Sequence, residues 1–252
     1  MNSCDSHTTA RTKGVSPLKG RTAVVTGASR GIGARISTAL GEQGVRVVLI
    51  ARTEKRLNEQ AARIPGSIPI AADVTDPRSV ERATSRITAE LGGAPDILVN
   101  NAGIFSVAAV EETSIEQFSQ LLNTNLVAPF LFVRAFLADM KKRGRGDILT
   151  IGSIADRTIF GGNAGSSAAK FGLRAVHEVL RTELRGTGVR ATLISPASTD
   201  TDIWNDVTLS DPGEKPPAKR PMLQPDDVAR AVIYALSQPD SVNVDELRLS
   251  HS

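Results

Sequence analysis

Thr26-Gly-Ala-Ser-Arg-Gly-Ile-Gly33 is the stretch whose reading decides the fold. It follows an apolar, β-prone run, Thr22-Ala-Val-Val-Thr26, and enters a helix-like run from Gly31 to Gln43 that Gly44 closes. Glycines at 27, 31 and 33 permit a tight turn and let backbone approach a pyrophosphate held at a helix N-terminus. A glycine-rich turn by itself often only closes a loop. Between the first strand and the first helix of a chain it points to a dinucleotide.

Strand and helix alternate strictly downstream. Val45 to Ala51 reads as a strand, Thr53 to Arg63 as a helix and Ile68 to Ala72 as a third strand. A helix from Pro77 to Leu91 and a strand from Asp96 to Val99 follow. A long helix is predicted from Ser114, an N-cap with Gln117 at the capping-box position, to Lys142, with a kink at Pro129. Next come a strand at Asp147–Ile151, a helix running to about Arg185 and a strand at Val189–Ile194. Residues 197–224 form an irregular insertion of the kind that makes an active-site lid. A helix from Pro225 to Leu236 and a strand from Val242 to Leu249 close the chain. The alternation predicts one α/β domain, a doubly wound parallel sheet of about seven strands with right-handed crossovers. Residues 1–18 are polar and without period, and are expected to be disordered.

Composition excludes several classes. With 252 residues, 40% hydrophobic and 23% charged, the chain has the make-up of a globular domain with a sizeable core. No run of about 18 apolar residues predicts a membrane span, and the first residues lack the apolar core of a signal peptide. One cysteine, Cys4, allows no internal disulfide, and a cytoplasmic location is expected. The net charge of +3 comes from scattered residues, so no nucleic-acid surface is expected. The basic cluster Lys141-Lys142-Arg143 reads as a helix end stopped by Gly144. His7, His177 and His251 lie far apart, without metal-ligand spacing.

Several further motifs stand in order: Asp73-Val74 after the third strand, Asn100-Asn101-Ala102-Gly103 after the fourth, and Asn125 in Asn-Leu-Val-Ala. Ser153 follows the fifth strand, then come Lys170 and Pro196-Ala197-x-x-x-Thr201. With the T-G-x-x-x-G-x-G spacing, they make residues 20–250 resemble the classical short-chain dehydrogenase/reductase family. The resemblance implies a Rossmann-type fold, an NADP(H)- or NAD(H)-dependent oxidoreductase acting on a small carbonyl or alcohol, and a homodimer or homotetramer built through the two long helices. It implies that Thr26, Gly27, Ser29, Arg30, Gly31, Ile32 and Gly33 form the pyrophosphate turn. Asp73 and Val74 would meet the adenine, and Asn101, Ala102 and Gly103 the adenosine side. Pro196 and Thr201 would stand at the nicotinamide, with Lys170 on the ribose. Charge then selects the cofactor: Ala51, not an acid, ends the second strand, and Arg52 and Arg30 suit the 2′-phosphate of NADP(H). Each residue also has a plain structural reading. Asp73 would cap its loop, Asn125 a helix, and Ser153 would satisfy loop backbone.

At the chemical end the pattern breaks. The resemblance expects Asn125, Ser153, a tyrosine and Lys170 as the catalytic group, the tyrosine four residues before the lysine. Ser166 stands there, and Asn163 occupies the position of the divergent enoyl-reductase spacing. The sole tyrosine, Tyr234, falls on a late helix. A phenol ionises near pH 10, whereas an aliphatic hydroxyl is a far weaker acid and is shorter. Impaired or atypical proton transfer is therefore expected, as it would be in a reductase inactivated at this position. The alternatives are a nucleotide-binding pseudoenzyme and a non-redox lyase or isomerase on the same scaffold. Ala197, where the family has glycine, is a second departure. Ile203 and Trp204 suggest an apolar contact in the insertion.

Overall fold

The computed structural model describes residues 16–205 and 222–252. Seven strands pair in parallel in the order β3-β2-β1-β4-β5-β6-β7: β1 is Thr22–Thr26, β2 Arg46–Ala51, β3 Ile68–Ala71, β4 Ile97–Asn100, β5 Gly146–Ile151, β6 Val189–Pro196 and β7 Glu246–Leu249. The chain winds outward from β1 in one direction, then restarts at β4 on its other side. That reversal opens a crevice at the carboxyl ends of β1 and β4, where doubly wound sheets bind ligands.

Strand residues alternate between two cores, as the period of two requires. Ala23 and Val25 face α1 (Gly31–Glu42) and α7 (Pro225–Leu236), while Val24 faces the other side. There α3 (Pro77–Leu91), α5 (Ala128–Arg143) and α6 (Ala164–Glu183) supply Ile87, Phe132, Phe136, Met140 and Leu180. The short α2 (Glu54–Ala61) buries Leu57 beside α1. Local signals set the ends: the Asp76 carboxylate accepts from the N–H groups of Arg78 and Ser79 at 3.0 and 3.2 Å, and Gly144 stops α5 with φ +68° after its three basic residues.

Four expectations need correction. The predicted helix Ser114–Lys142 is three pieces: α4 (Ile115–Leu122), a π-helical turn (Asn123–Val127) and α5. Ser114 does cap it, accepting from the Gln117 N–H at 3.1 Å. The irregularity precedes Pro129, whose missing N–H leaves the Asn125 carbonyl without its i+4 donor. The closing strand begins at Glu246, because the Asn243 side chain occupies both backbone groups of Ala191 in place of a ladder pair. Leu18, counted with the disordered tail, is 1% exposed and packs in the core; residues 1–15 lie outside the described residues. Finally, Ile115–Arg143 has the length and composition of a membrane span over an 18-residue window. In this fold Phe132, Phe136 and Met140 of that rod pack against the sheet.

Candidate functional site

A cavity of about 750 Å³ runs along the carboxyl edge of the sheet, within the range of small-molecule and cofactor sites. At one end is the turn from β1 into α1. Gly27 has φ +67°, and a Cβ there would stand 2.9 Å from the Ala102 Cα. A Cβ on Gly33 would stand 2.3 Å from the Gly27 carbonyl oxygen and 2.4 Å from Asn101 Nδ2. The turn therefore folds as closely as it does only with glycine at both positions. Thr26 fixes it to the next strand: its hydroxyl accepts from the N–H groups of Asn101 and Ala102, both at 3.0 Å. Asn101 Nδ2 donates to the Thr26 carbonyl at 2.9 Å. Thr26 and Gly33 thus lie behind the cavity and shape it, while Gly27, Ser29, Arg30, Gly31 and Ile32 line it.

Around the same end are Arg52, Asp73, Val74, Asn101, Ala102 and Gly103, with Arg56 and Thr53 beside them. Arg56 escaped the sequence reading, although it stands only four residues beyond Arg52, on the first turn of α2. Arg30 lies 3.9 Å from the Asp202 carboxylate, both half exposed. Asp73 accepts from the N–H and hydroxyl of Thr75 at 2.9 and 2.7 Å; these bonds, and more weakly Arg52, hold its carboxyl below the usual range. The loop-capping reading of Asp73 is thus part of its role, and it engages only Oδ1.

The other end gathers Asn125, Ser153, Ser166, Lys170, Pro196 and Thr201. Asn125 is 1% exposed and spends both side-chain groups on Ile104, accepting its N–H and donating to its carbonyl, each at 2.9 Å. It pins the loop after β4 to the π-helical turn. The Ser153 oxygen accepts from the Ala155 N–H at 3.1 Å, which leaves its proton to be donated elsewhere. Lys170 Nζ donates to the Ile151 carbonyl at 3.1 Å. Burial pulls this ammonium down to about 8, against the opposing field of the buried Asp156. Ser166, on the first turn of α6, is 3% exposed and its hydroxyl has no partner among the described residues. Ala197 is accommodated at the end of β6, where its N–H donates to the Leu249 carbonyl at 2.8 Å.

Apolar walls close this end. Phe105 and Trp204 meet edge to face at 5.2 Å, and the Trp204 indole N–H donates to the Thr199 carbonyl at 2.8 Å. The contact expected of Trp204 is thus with the loop after β4. Ile203 lines the cavity beside it. The ends of the predicted lid meet where Asp200 N–H donates to the Leu223 carbonyl and Leu223 N–H to that of Ser198, at 2.8 and 2.9 Å. Residues 206–221 of that lid lie outside the described residues. Tyr234 sits half exposed on α7, away from the cavity lining.

The donor set fits a dinucleotide phosphate: a backbone cradle that a Cβ would fill, three guanidinium groups around one end, and a buried amine at the other. Comparison with known proteins agrees on ancestry. An uncharacterized oxidoreductase of Staphylococcus saprophyticus is 38% identical over 234 residues, 91% of this chain and 97% of its own. A glycine betaine reductase of Emericella nidulans is 35% identical over 92% of this chain, which spans 19% of that larger protein. Among solved structures, a metagenomic short-chain oxidoreductase in complex with NADP superposes with TM-score 0.79 at 31% identity, covering 93% of this chain and 99% of the other. A serine dehydrogenase complexed with NADP+ superposes with TM-score 0.84 at 31% identity, over 90% and 94%. The family pattern described as short chain dehydrogenase matches residues 21–211, and the chain belongs to that family.

Proposed function

We infer that this protein is an NADP(H)-dependent oxidoreductase acting on a small carbonyl or alcohol, with proton transfer altered by the serine at position 166. The observation that carries the reading is the single cavity that joins the glycine turn and its arginines to Ser153 and Lys170. When bound, NADP(H) supplies or accepts the hydride. Arg52 and Arg56, with no acid at the end of β2, favour a 2′-phosphate over a bare ribose hydroxyl. Ser153 donates its free proton to the substrate oxygen and orients it. Lys170, at about 8, is a competent acid near neutral pH, and its proton reaches the substrate through whatever hydroxyl stands between them.

A second reading, a nucleotide-binding pseudoenzyme, is favoured by one observation: the Asn125 side chain is fully committed to Ile104. One experiment separates the two. Binding of NADPH and NADH and reduction of simple ketones are measured in the native chain, in Ser166→Tyr and in Arg52→Ala/Arg56→Ala. The oxidoreductase reading expects NADPH to bind more tightly than NADH, and the double arginine variant to lose ~10-fold or more of NADPH affinity alone. A phenol introduced at position 166 should raise turnover by about 10²–10⁴, the usual worth of a positioned general acid. Tight NADPH binding with no turnover in either the native chain or Ser166→Tyr would leave the pseudoenzyme.

A further inference from the structure

Beside the chemical end of the cavity the outer surface carries an apolar groove of about 440 Å³. Val110, from the short 3-10 turn Val110–Glu112, lines it together with Ile159 and Phe160 of the loop between β5 and α6. Ala164, Ala168 and Phe171 of α6 complete its apolar side chains. No charged side chain among the described residues lines it, and its two polar residues keep Asn163 Oδ1 and Ser167 Oγ shielded from solvent. Ile159 and Val110 are nonetheless 78% and 74% exposed, and Phe160 and Phe171 are exposed as well. A contiguous apolar patch of this kind marks a surface that something else covers.

What covers it follows from where the groove leads. Phe160, Gly161 and Asn163 line both the groove and the cavity, so a single stretch of loop lies between them. That stretch is held in place: the Ala108 N–H donates to the Gly162 carbonyl at 2.8 Å, and a bridge pairs Ala108 with Asn163. Gly162, at φ +70°, packs so closely that a Cβ there would stand 2.8 Å from the Val107 side chain. Val107 and Phe160 make the cavity side of this stretch apolar too. From Ser153 to Phe171, a ligand thus finds apolar surface on both sides of the loop.

We propose that the substrate is an aliphatic carbonyl compound with a long uncharged tail, and that the tail leaves the cavity past Phe160 and lies in this groove. This rests on the oxidoreductase reading above and adds the substrate class to it. The groove contributes binding remote from the reacting carbon, so it acts on affinity through tail length alone. A fully buried methylene tightens binding about fourfold; in a groove open on one side the gain is about twofold.

The test uses the full chain saturated with NADP+, which cannot reduce a ketone, and titrates it calorimetrically with 2-pentanone, 2-octanone and 2-undecanone. NADPH oxidation with the same ketones is followed in parallel. Kd is expected to fall about twofold per added methylene, about 50-fold from the shortest ketone to the longest. Ala168→Trp fills the groove from an exposed position on α6, and Ile159→Asp puts a charge on its wall. Either variant should shrink that gap to less than about fivefold and leave 2-pentanone within about twofold of its native affinity. Equal affinity for the three ketones in the native chain, or a gap unchanged in both variants, would overturn the proposal. Reduction of 2-pentanone would in that case still uphold the oxidoreductase reading. Sedimentation of Ile159→Asp as a smaller species than the native chain, with the gap intact, would assign the groove to a second copy and overturn the proposal as well. Failure of the native chain to bind NADP+ would remove both readings.

Discussion

Lys170 has its ammonium buried against the Ile151 carbonyl, where the cost of desolvation outweighs the field of Asp156 and brings its pKa to about 8. The sign of its effect follows directly. Reduction consumes the ammonium proton, so kcat/KM for a ketone should be flat below pH 8 and fall about tenfold per unit above it. Oxidation of the alcohol needs the neutral amine and should rise with pH to a plateau past the same point. Asp156→Asn removes the charge that favours the ammonium, so the inflection should move to lower pH, as a pH–rate series would record. An inflection unmoved in Asp156→Asn would deny Lys170 the part of proton source. The identity and position of this lysine were legible as a motif, four residues past Ser166. Its lowered pKa was not, because burial is set by β5 and the turn after it, which lie 14 or more residues upstream in the sequence.

Among the elements, the turn between β1 and α1 is the most constrained. A methyl at residue 33 would lie 2.3 Å from backbone that cannot rotate away, unlike the far end of a flexible side chain. Gly33→Ala should therefore lower stability by about 1–3 kcal/mol, the cost of overpacking. Its dinucleotide affinity should fall further than that of a surface variant matched in stability. Thermal melts with and without NADPH measure both, and a variant that melts and binds as the native chain does would show that the helix can shift. Here the sequence was a good guide, since the glycine spacing reports a backbone requirement that is local. It was a poorer guide to the long helix through Ser114. The π-helical turn there joins Asn125 to Ile104, a partner from another loop, and helical periodicity carries no mark of such a bond.

For the molecule as a whole, the sheet has helices on both faces, yet Val127 at the end of the π-helical turn, Phe130 in the first turn of α5 and Phe171 and Val179 on α6 remain exposed. Monomers seldom leave such apolar side chains in water together, so the chain is expected to sediment as a dimer or tetramer. Phe171→Glu/Val179→Glu should sediment as a monomer with unchanged circular dichroism; a native chain that is already monomeric would contradict this. The alternation of strands and helices and the glycine turn determined the doubly wound sheet from sequence alone, because both are periodic or local signals. The serine at 166 was equally plain, being a matter of counting back from Lys170. What only the tertiary structure decided is the company these residues keep. Arg56 joins Arg52 on one wall, Trp204 meets Phe105 of the loop after β4, and the Ser166 hydroxyl and Asn163 Oδ1 are buried without partners among the described residues. Those relations join segments separated by up to about a hundred residues, and packing alone brings them within reach.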